Sequence, residues 1–375
     1  MAAEIPPSGI RKFFDLLLTM DNVISLGVGE PDFNTPWNVL QVAIASIEKG
    51  MTMYTSNRGL AELRELLATD LSQCYHMAYC PETEMIVTTG VSEALDVAMR
   101  AVVDPGDEVL VVDPCSVSYQ PEVLMAGGRS KALPCRAQDQ FKITLDALME
   151  SLTPKTKVLM MNFPNNPTGG VMGADDLKAI ADIVIDHNLL IISDEVHAEL
   201  TYDGHHVSIT AVDGLRDRTI TLNGFSKAYA MIGWRFGYIC ASKEITDAAL
   251  KIHQYVMMSA PIVALFAAIE TLKNGEDAKN EMVAEYRMRR NLFVKGLNDV
   301  GLPCHLPRDA FYAFSSIEGT CLSDEEFVEQ LLKEQLKIKG AIKGAACGGC
   351  AGKRIRGKRS RSCTDVLRSG SGPVF

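Results

Sequence analysis

The sequence has no apolar run long enough to cross a bilayer, so no membrane span is expected. It has no surplus of positive charge either. Against 47 Asp and Glu stand 37 Lys and Arg, a net of −10, which disfavours nucleic acid or an anionic membrane as the main partner. The first residues, Met1-Ala2-Ala3-Glu4-Ile5-Pro6-Pro7, lack a basic start followed by an apolar run, and no signal peptide is expected. The ten cysteines lack a regular spacing, and many sit in apolar settings such as Tyr238-Ile239-Cys240. That suits reduced thiols in the cytosol better than a disulfide framework. The expectation these absences leave is a soluble, cytoplasmic protein. With 375 residues, 47% of them hydrophobic, the chain can bury a large core, and its length suggests two domains rather than one.

What the chain has is a lysine in an unusual place. Asn223-Gly224-Phe225-Ser226-Lys227 through Gly233-Trp234-Arg235-Phe236-Gly237-Tyr238 is a long, mostly small and apolar stretch. Thr219–Leu222 before it and Arg235–Cys240 at its end both read as buried strands. Burial disfavours an ammonium ion and lowers its pKa, and a neutral amine is what condensation with an aldehyde requires. For a lone lysine the plain reading, a side chain snorkelling at a strand edge, would win. Two further stretches change the balance. Val158–Pro164 is an apolar strand running into Asn165-Asn166-Pro167-Thr168-Gly169, and Leu189–Val196 is another, holding Ser193-Asp194-Glu195 at its end. Ligands of a parallel sheet sit at the carboxyl ends of its strands, which brings an Asn, an Asp and the Lys together.

With Asn-Asn-Pro-Thr-Gly, Ser-Asp-Glu, and Ser-Lys followed by Gly-Trp-Arg-Phe-Gly at this spacing, the chain resembles the class I/II aminotransferases of the fold-type I pyridoxal-phosphate enzymes. The resemblance implies an α/β fold with a mostly parallel central sheet flanked by helices, and a smaller α+β domain. It implies pyridoxal 5'-phosphate as cofactor, an amino acid and a 2-oxo acid as substrates, and a homodimer. Lys227 would hold the cofactor as a Schiff base and then act as general base. Asp194 would keep the ring nitrogen protonated, and Asn166 and His197 would contact the ring hydroxyl. The turn Gly90-Val91-Ser92, between a strand over Met85–Thr89 and a helix over Glu93–Val103, would cradle the phosphate with Arg235. Tyr54 would reach the neighbour's cofactor phosphate across the dimer interface. Gly29, in Gly29-Glu30-Pro31-Asp32-Phe33, would offer its backbone to the substrate carboxylate, with Asn166 also on the substrate.

The expected domains are an N-terminal segment of the small domain over 1–35, a large cofactor-binding domain over 36–285, an incomplete small domain over 286–335, and a tail over 336–375. Helices are read over Gln41–Lys49, Ala61–Cys74, Lys243–Met258, Ile262–Lys273, Glu276–Leu297 and Ser323–Lys333, and an edge-like strand over Phe311–Ser315.

The chain also departs from the pattern. Ser116 stands where relatives carry an aromatic stacked on the pyridine ring, which leaves either Tyr119 as its substitute or weaker cofactor binding. His197 replaces a common tyrosine, and an Asp-Glu-Ile-His-like pattern also occurs in carbon–sulfur β-lyases of the same fold. Gly224 stands where many relatives place a phosphate-binding serine, and Asp309 replaces the glycine of Gly-Ala-Phe-Tyr.

The tail carries ten Lys or Arg against one acid, Asp365, which leaves 27 basic and 46 acidic residues for the rest of the chain. It is rich in Gly and Ser, without helical or strand period, and reads as disordered or as an out-of-frame ending. Its Cys347-Gly348-Gly349-Cys350 has no second pair at zinc spacing, so no metal site is expected. No Arg-Ile-Ser-Tyr-like segment for the substrate carboxylate follows, and the resemblance is expected to end near Gln335. The expected function is amino-group transfer. The alternatives are β-elimination on the same fold, or a chain impaired by its altered ending.

Overall fold

Strands with two buried faces read as unbroken apolar runs, and such runs build the centre of this chain. The computed structural model describes residues 29–333, together with Ile5, Ile24–Ser25 and Ile338–Lys339. After β1 (Ile24–Ser25) come helices α1 (Trp37–Glu48) and α2 (Ala61–Tyr75), then β2 (Met85–Thr89) and α3 (Gly90–Val102). The chain continues through β3 (Glu108–Asp113), α4 (Tyr119–Met125), β4 (Arg129–Pro134), α5 (Leu145–Ser151), β5 (Thr156–Asn162), α6 (Ala174–Asp186) and β6 (Leu190–Asp194). It closes with β7 (Thr219–Asn223), β8 (Phe236–Cys240), α7 (Lys243–Val256), α8 (Ile262–Asn274), α9 (Glu276–Asp299), α10 (Asp324–Lys333) and β9 (Ile338–Lys339).

Strands β2 to β8 form one sheet of seven in the order β2-β8-β7-β6-β5-β3-β4. Neighbours pair in parallel except at β8, which runs antiparallel to both β2 and β7. Successive side chains of a strand leave on opposite faces. Met85 and Val87 accordingly join one buried cluster, with Leu63, Phe236 and Leu265, while Ile86 joins the other, with Leu110, Leu159 and Ile191. Both faces of the sheet are thus covered.

The reversed strand β8 has a consequence for chemistry. Because β7 and β8 are antiparallel neighbours, the chain between them starts and ends at one end of the sheet, where β2, β3, β5 and β6 also have their carboxyl ends. Lys227 and Arg235 lie in that connection.

Several sequence expectations are corrected. Helix α3 starts at Gly90, three residues before Glu93, because the Glu93 carboxylate turns back to accept the Thr89 N–H. Phe311–Ser315 forms no strand. Only isolated bridges, Thr201 to Asp309 and Cys304 to Ser315, flank it, and Ala310 takes a left-handed φ of 57° that breaks the extended run. Ile338–Lys339 pairs in parallel with Ile24–Ser25, so strand structure continues past Gln335. In sequence, Leu336-Lys337-Ile338-Lys339 alternates apolar and basic with the period of a strand. The rest of the basic tail, including Cys347 and Cys350, lies outside the described residues. Among the described residues no helix is long and apolar enough to cross a membrane.

Candidate active site

At the shared end of the strands, Lys227 extends its Nζ to the carbonyl of Gly29 at 2.6 Å. Burial is the main cause that lowers the Lys227 pKa from the usual lysine value; Arg235 adds to it, while Asp194 and Glu30 oppose it. The Phe311 ring lies 5.8 Å from the same nitrogen.

Asp194 ends β6 and is 6% exposed. Its Oδ2 accepts from the Tyr119 hydroxyl at 2.7 Å, and its Oδ1 accepts the Val196 N–H at 3.1 Å. Burial raises its pKa, with the Tyr119 and Val196 donors and the Lys227 charge pulling the other way. Asn162 is the residue directly across in β5, fully buried. Its Nδ2 donates to the Asp194 carbonyl at 2.7 Å, and its Oδ1 accepts the Asn166 N–H at 2.8 Å. One side chain thereby fastens the end of β6 to the loop that carries Asn166. Sequence reading passed over Asn162, although a polar residue closing the apolar run Val158–Met161 was a signal.

Next to this pair, Gly90 opens α3 with φ of 79°. A Cβ there would come within 2.5 Å of Arg235 Nη2, and a Cβ on Gly237 within 2.5 Å of the Gly90 carbonyl carbon. The two glycines let β8, the first turn of α3 and the guanidinium meet. Arg235 donates through Nη1 to the Ile232 carbonyl at 3.2 Å and through Nη2 to Ser92 Oγ at 3.5 Å, both neutral oxygens. Gly224 answers its own departure from the pattern. A Cβ on it would lie 2.6 Å from the Phe236 carbonyl oxygen and 3.1 Å from Val91 Cγ2, so a serine there needs the backbone to move.

The remaining expected residues fall as follows. His197 is buried against Phe311 and Tyr312, with its Nε2 3.4 Å from the Tyr312 hydroxyl. Ser116 Oγ lies 3.3 Å from Ser118 Oγ. Tyr119 does not take the place of a stacking ring, since its hydroxyl is bound to Asp194 and the residue is 2% exposed. Tyr54 is 81% exposed. The structure thus gathers Gly29, Gly90, Ser92, Asn166, Asp194, Lys227 and Arg235 at one end of the sheet.

The family model for aminotransferase class I and II matches residues 21–342. The chain belongs to the class I and II aminotransferases. YugH of Bacillus subtilis, named as an aminotransferase, is 49% identical over 348 residues, which cover 92% of this chain and 90% of the relative. Aromatic-amino-acid aminotransferase 2 of Thermococcus litoralis is 39% identical over 347 residues, covering 92% and 89%. The solved aspartate aminotransferase from Thermus thermophilus with maleate superposes with a TM-score of 0.85 at 33% identity, covering 91% of this chain and 90% of that one. The fold is that of the fold-type I aminotransferases. The protein is an aminotransferase that moves an amino group between an amino acid and a 2-oxo acid, with pyridoxal phosphate as cofactor. These aminotransferase relatives favour transfer over the β-lyase and impaired-chain alternatives. The family match also ends seven residues beyond the expected break at Gln335.

The residues present fit that cofactor. Arg235, whose hydrogen bonds go to neutral oxygens, stands at a helix start whose first N–H groups lack helical acceptors, a setting for an anionic phosphate. A buried carboxylate held by a phenol and an amide suits a protonated ring nitrogen, and a half-buried amine of lowered pKa suits an aldehyde. Gly237→Ala is expected to destabilise the fold by about 1–3 kcal/mol, since the new methyl meets backbone on α3. It should also weaken cofactor binding. Denaturant unfolding and a cofactor titration check both, and an unchanged phosphate site would show that the close approach is dispensable.

Proposed function

We propose that this aminotransferase uses Lys227 as its reacting amine, takes aspartate or an aromatic amino acid as donor, and works as a cytosolic homodimer. The observation that carries the reading is the half-buried Lys227 Nζ, with a neutral carbonyl as its partner and the buried Asp194 carboxylate near enough to act on its charge. When bound, pyridoxal phosphate supplies an aldehyde that condenses with amines and a ring that accepts electrons from the substrate α-carbon. Asp194 holds a proton on the ring nitrogen. Gly90, Val91, Ser92 and Arg235 hold the phosphate, and Asn166 and His197 hold the ring hydroxyl. The Gly29 backbone and Asn166 orient the substrate carboxylate, while Lys227 Nζ, neutral at lower pH than a free lysine, removes the α-proton.

The donor class follows the aspartate and aromatic names of the relatives. The homodimer is supported by two neighbouring stretches of exposed apolar side chains. Met53, Tyr54, Tyr255, Val256, Met257 and Met258 are all exposed, Tyr255 to 86%, and Asn57 Nδ2 ties the two stretches together through the Met258 carbonyl at 2.6 Å. Tyr54 on that surface would reach the cofactor phosphate of a second copy. The division into a large domain over 36–285 and a smaller part over 286–335, with 1–35 joined to the latter, belongs to the same reading.

Loaded protein mixed with aspartate or phenylalanine alone is expected to release one equivalent of 2-oxo acid per chain and stop, then resume when a 2-oxo acid is added. Continuous release of pyruvate and thiol from a cysteine conjugate would instead mean β-elimination. Light scattering of the same preparation is expected to give twice the chain mass of 40.9 kDa, and the monomer mass would remove the dimer.

A further inference from the structure

Tyr119 opens α4 and lies 75 residues from Asp194 in sequence, yet its hydroxyl donates to Asp194 Oδ2 at 2.7 Å with both side chains buried. A carboxylate buried to this degree tends to take up a proton, because desolvation penalises its charge. The groups that act on Asp194 are few. Tyr119 comes from α4 and Lys227 from the connection between β7 and β8, and both favour the ionised form, as does the Val196 N–H. Glu195, next in the chain, opposes it, but its own carboxylate is turned to Ser193, Ser208 and His206. Tyr312 and Cys115 complete the surroundings of the Tyr119 hydroxyl. Among the donors to the carboxylate, Tyr119 counts most against desolvation. Its own proton is secure, since burial and the Asp194 charge push the phenol well above its ordinary value.

We propose that Tyr119 is a positioning residue for cofactor capture, holding the Asp194 carboxylate ionised and fixed in orientation for the ring nitrogen. This rests on the reading of Asp194 as the ring-nitrogen partner. It gives the first residue of α4 a part in binding the cofactor through a hydrogen bond to its carboxylate partner. Where relatives would stack an aromatic, this chain has Ser116.

The test uses deoxypyridoxine 5'-phosphate, which carries the ring and phosphate but no aldehyde, so binding is read without reaction at Lys227. Its dissociation constant is measured by calorimetry from pH 5 to 9 on the full-length apoprotein, Tyr119→Phe, Asp194→Asn and the double variant. Phenylalanine keeps the ring and its packing and removes one oxygen. The acid-side loss of affinity is expected to move up by about one pH unit in Tyr119→Phe, with binding about tenfold weaker between the two midpoints. In the Asp194→Asn background the same change should add less than about twofold, because the carboxylate it acts on is gone. An unchanged midpoint in Tyr119→Phe, or an equal weakening in both backgrounds, overturns the proposal and leaves Tyr119 as packing. An Asp194→Asn profile identical to the parent overturns the assignment of Asp194 itself, and the proposal with it.

Discussion

Replacing Lys227 by alanine is expected to lower kcat/KM for amino transfer by at least about 10⁴-fold, since one change removes both the amine that condenses with the aldehyde and the base that moves the α-proton. The fold should survive. The Lys227 side chain donates one hydrogen bond, to the Gly29 carbonyl, and lies near the face of Phe311, so truncation removes a half-buried amine while Asp194 keeps its Tyr119 and Val196 donors. The parent carries a pH signature of the same group. Burial sets the Lys227 pKa below the usual lysine range, so the neutral amine gains population at lower pH than in a free lysine. Loading with pyridoxal phosphate should rise with pH through that lowered value, followed by cofactor absorbance. A variant that kept ordinary turnover, or a loading curve centred at the free-lysine pKa, would place the chemistry elsewhere.

Asp194→Asn is expected to reduce the rate of the first half-reaction by about 10²–10³-fold while leaving the unfolding transition close to the parent's. The asparagine keeps the size and an oxygen for the Val196 N–H, and its NH2 in the place of Oδ2 can donate to the Tyr119 hydroxyl, but the negative charge that a protonated ring nitrogen requires is gone. Folding loses little, because the desolvation that raises the Asp194 pKa is relieved when the charge is removed. Cofactor affinity should fall with the loss of a charge-assisted hydrogen bond, worth about 1.5–3 kcal/mol. Stopped-flow absorbance with amino acid alone reads the rate, and thermal melting reads the fold. A full-speed half-reaction would mean that another group supports the ring nitrogen.

Much of the sheet was legible because its strands are buried on both faces. Val158–Met161 in β5 and Ile191–Ile192 in β6 are apolar runs that only a central strand explains, and the observed strands end at Asn162 and Asp194. The meeting of Asp194 with Lys227 followed from the rule that such ends share one edge of a parallel sheet. Local sequence failed where a distant segment decides the outcome. Phe311–Ser315 has the composition of a strand, yet its backbone turns at Ala310, and the Ala310 N–H goes to the Leu200 carbonyl. Helix α3 begins at Gly90 because Glu93 folds back, which periodicity alone cannot report. Gly224 is small because β8 passes over it, and the link between Tyr119 and Asp194 joins residues whose spacing carries no period. Alternation in Leu336–Lys339 was present in the sequence but outweighed by the composition of the tail.

The assignment of the reacting amine is tested most directly by trapping it. Protein loaded with pyridoxal phosphate is reduced with borohydride, digested, and mapped by mass spectrometry. The added phosphopyridoxyl group is expected on the peptide that holds Lys227, between Phe225 and Arg235, and on no other lysine. A modified lysine anywhere else, with Lys227 unmodified, would contradict the account of how this site works.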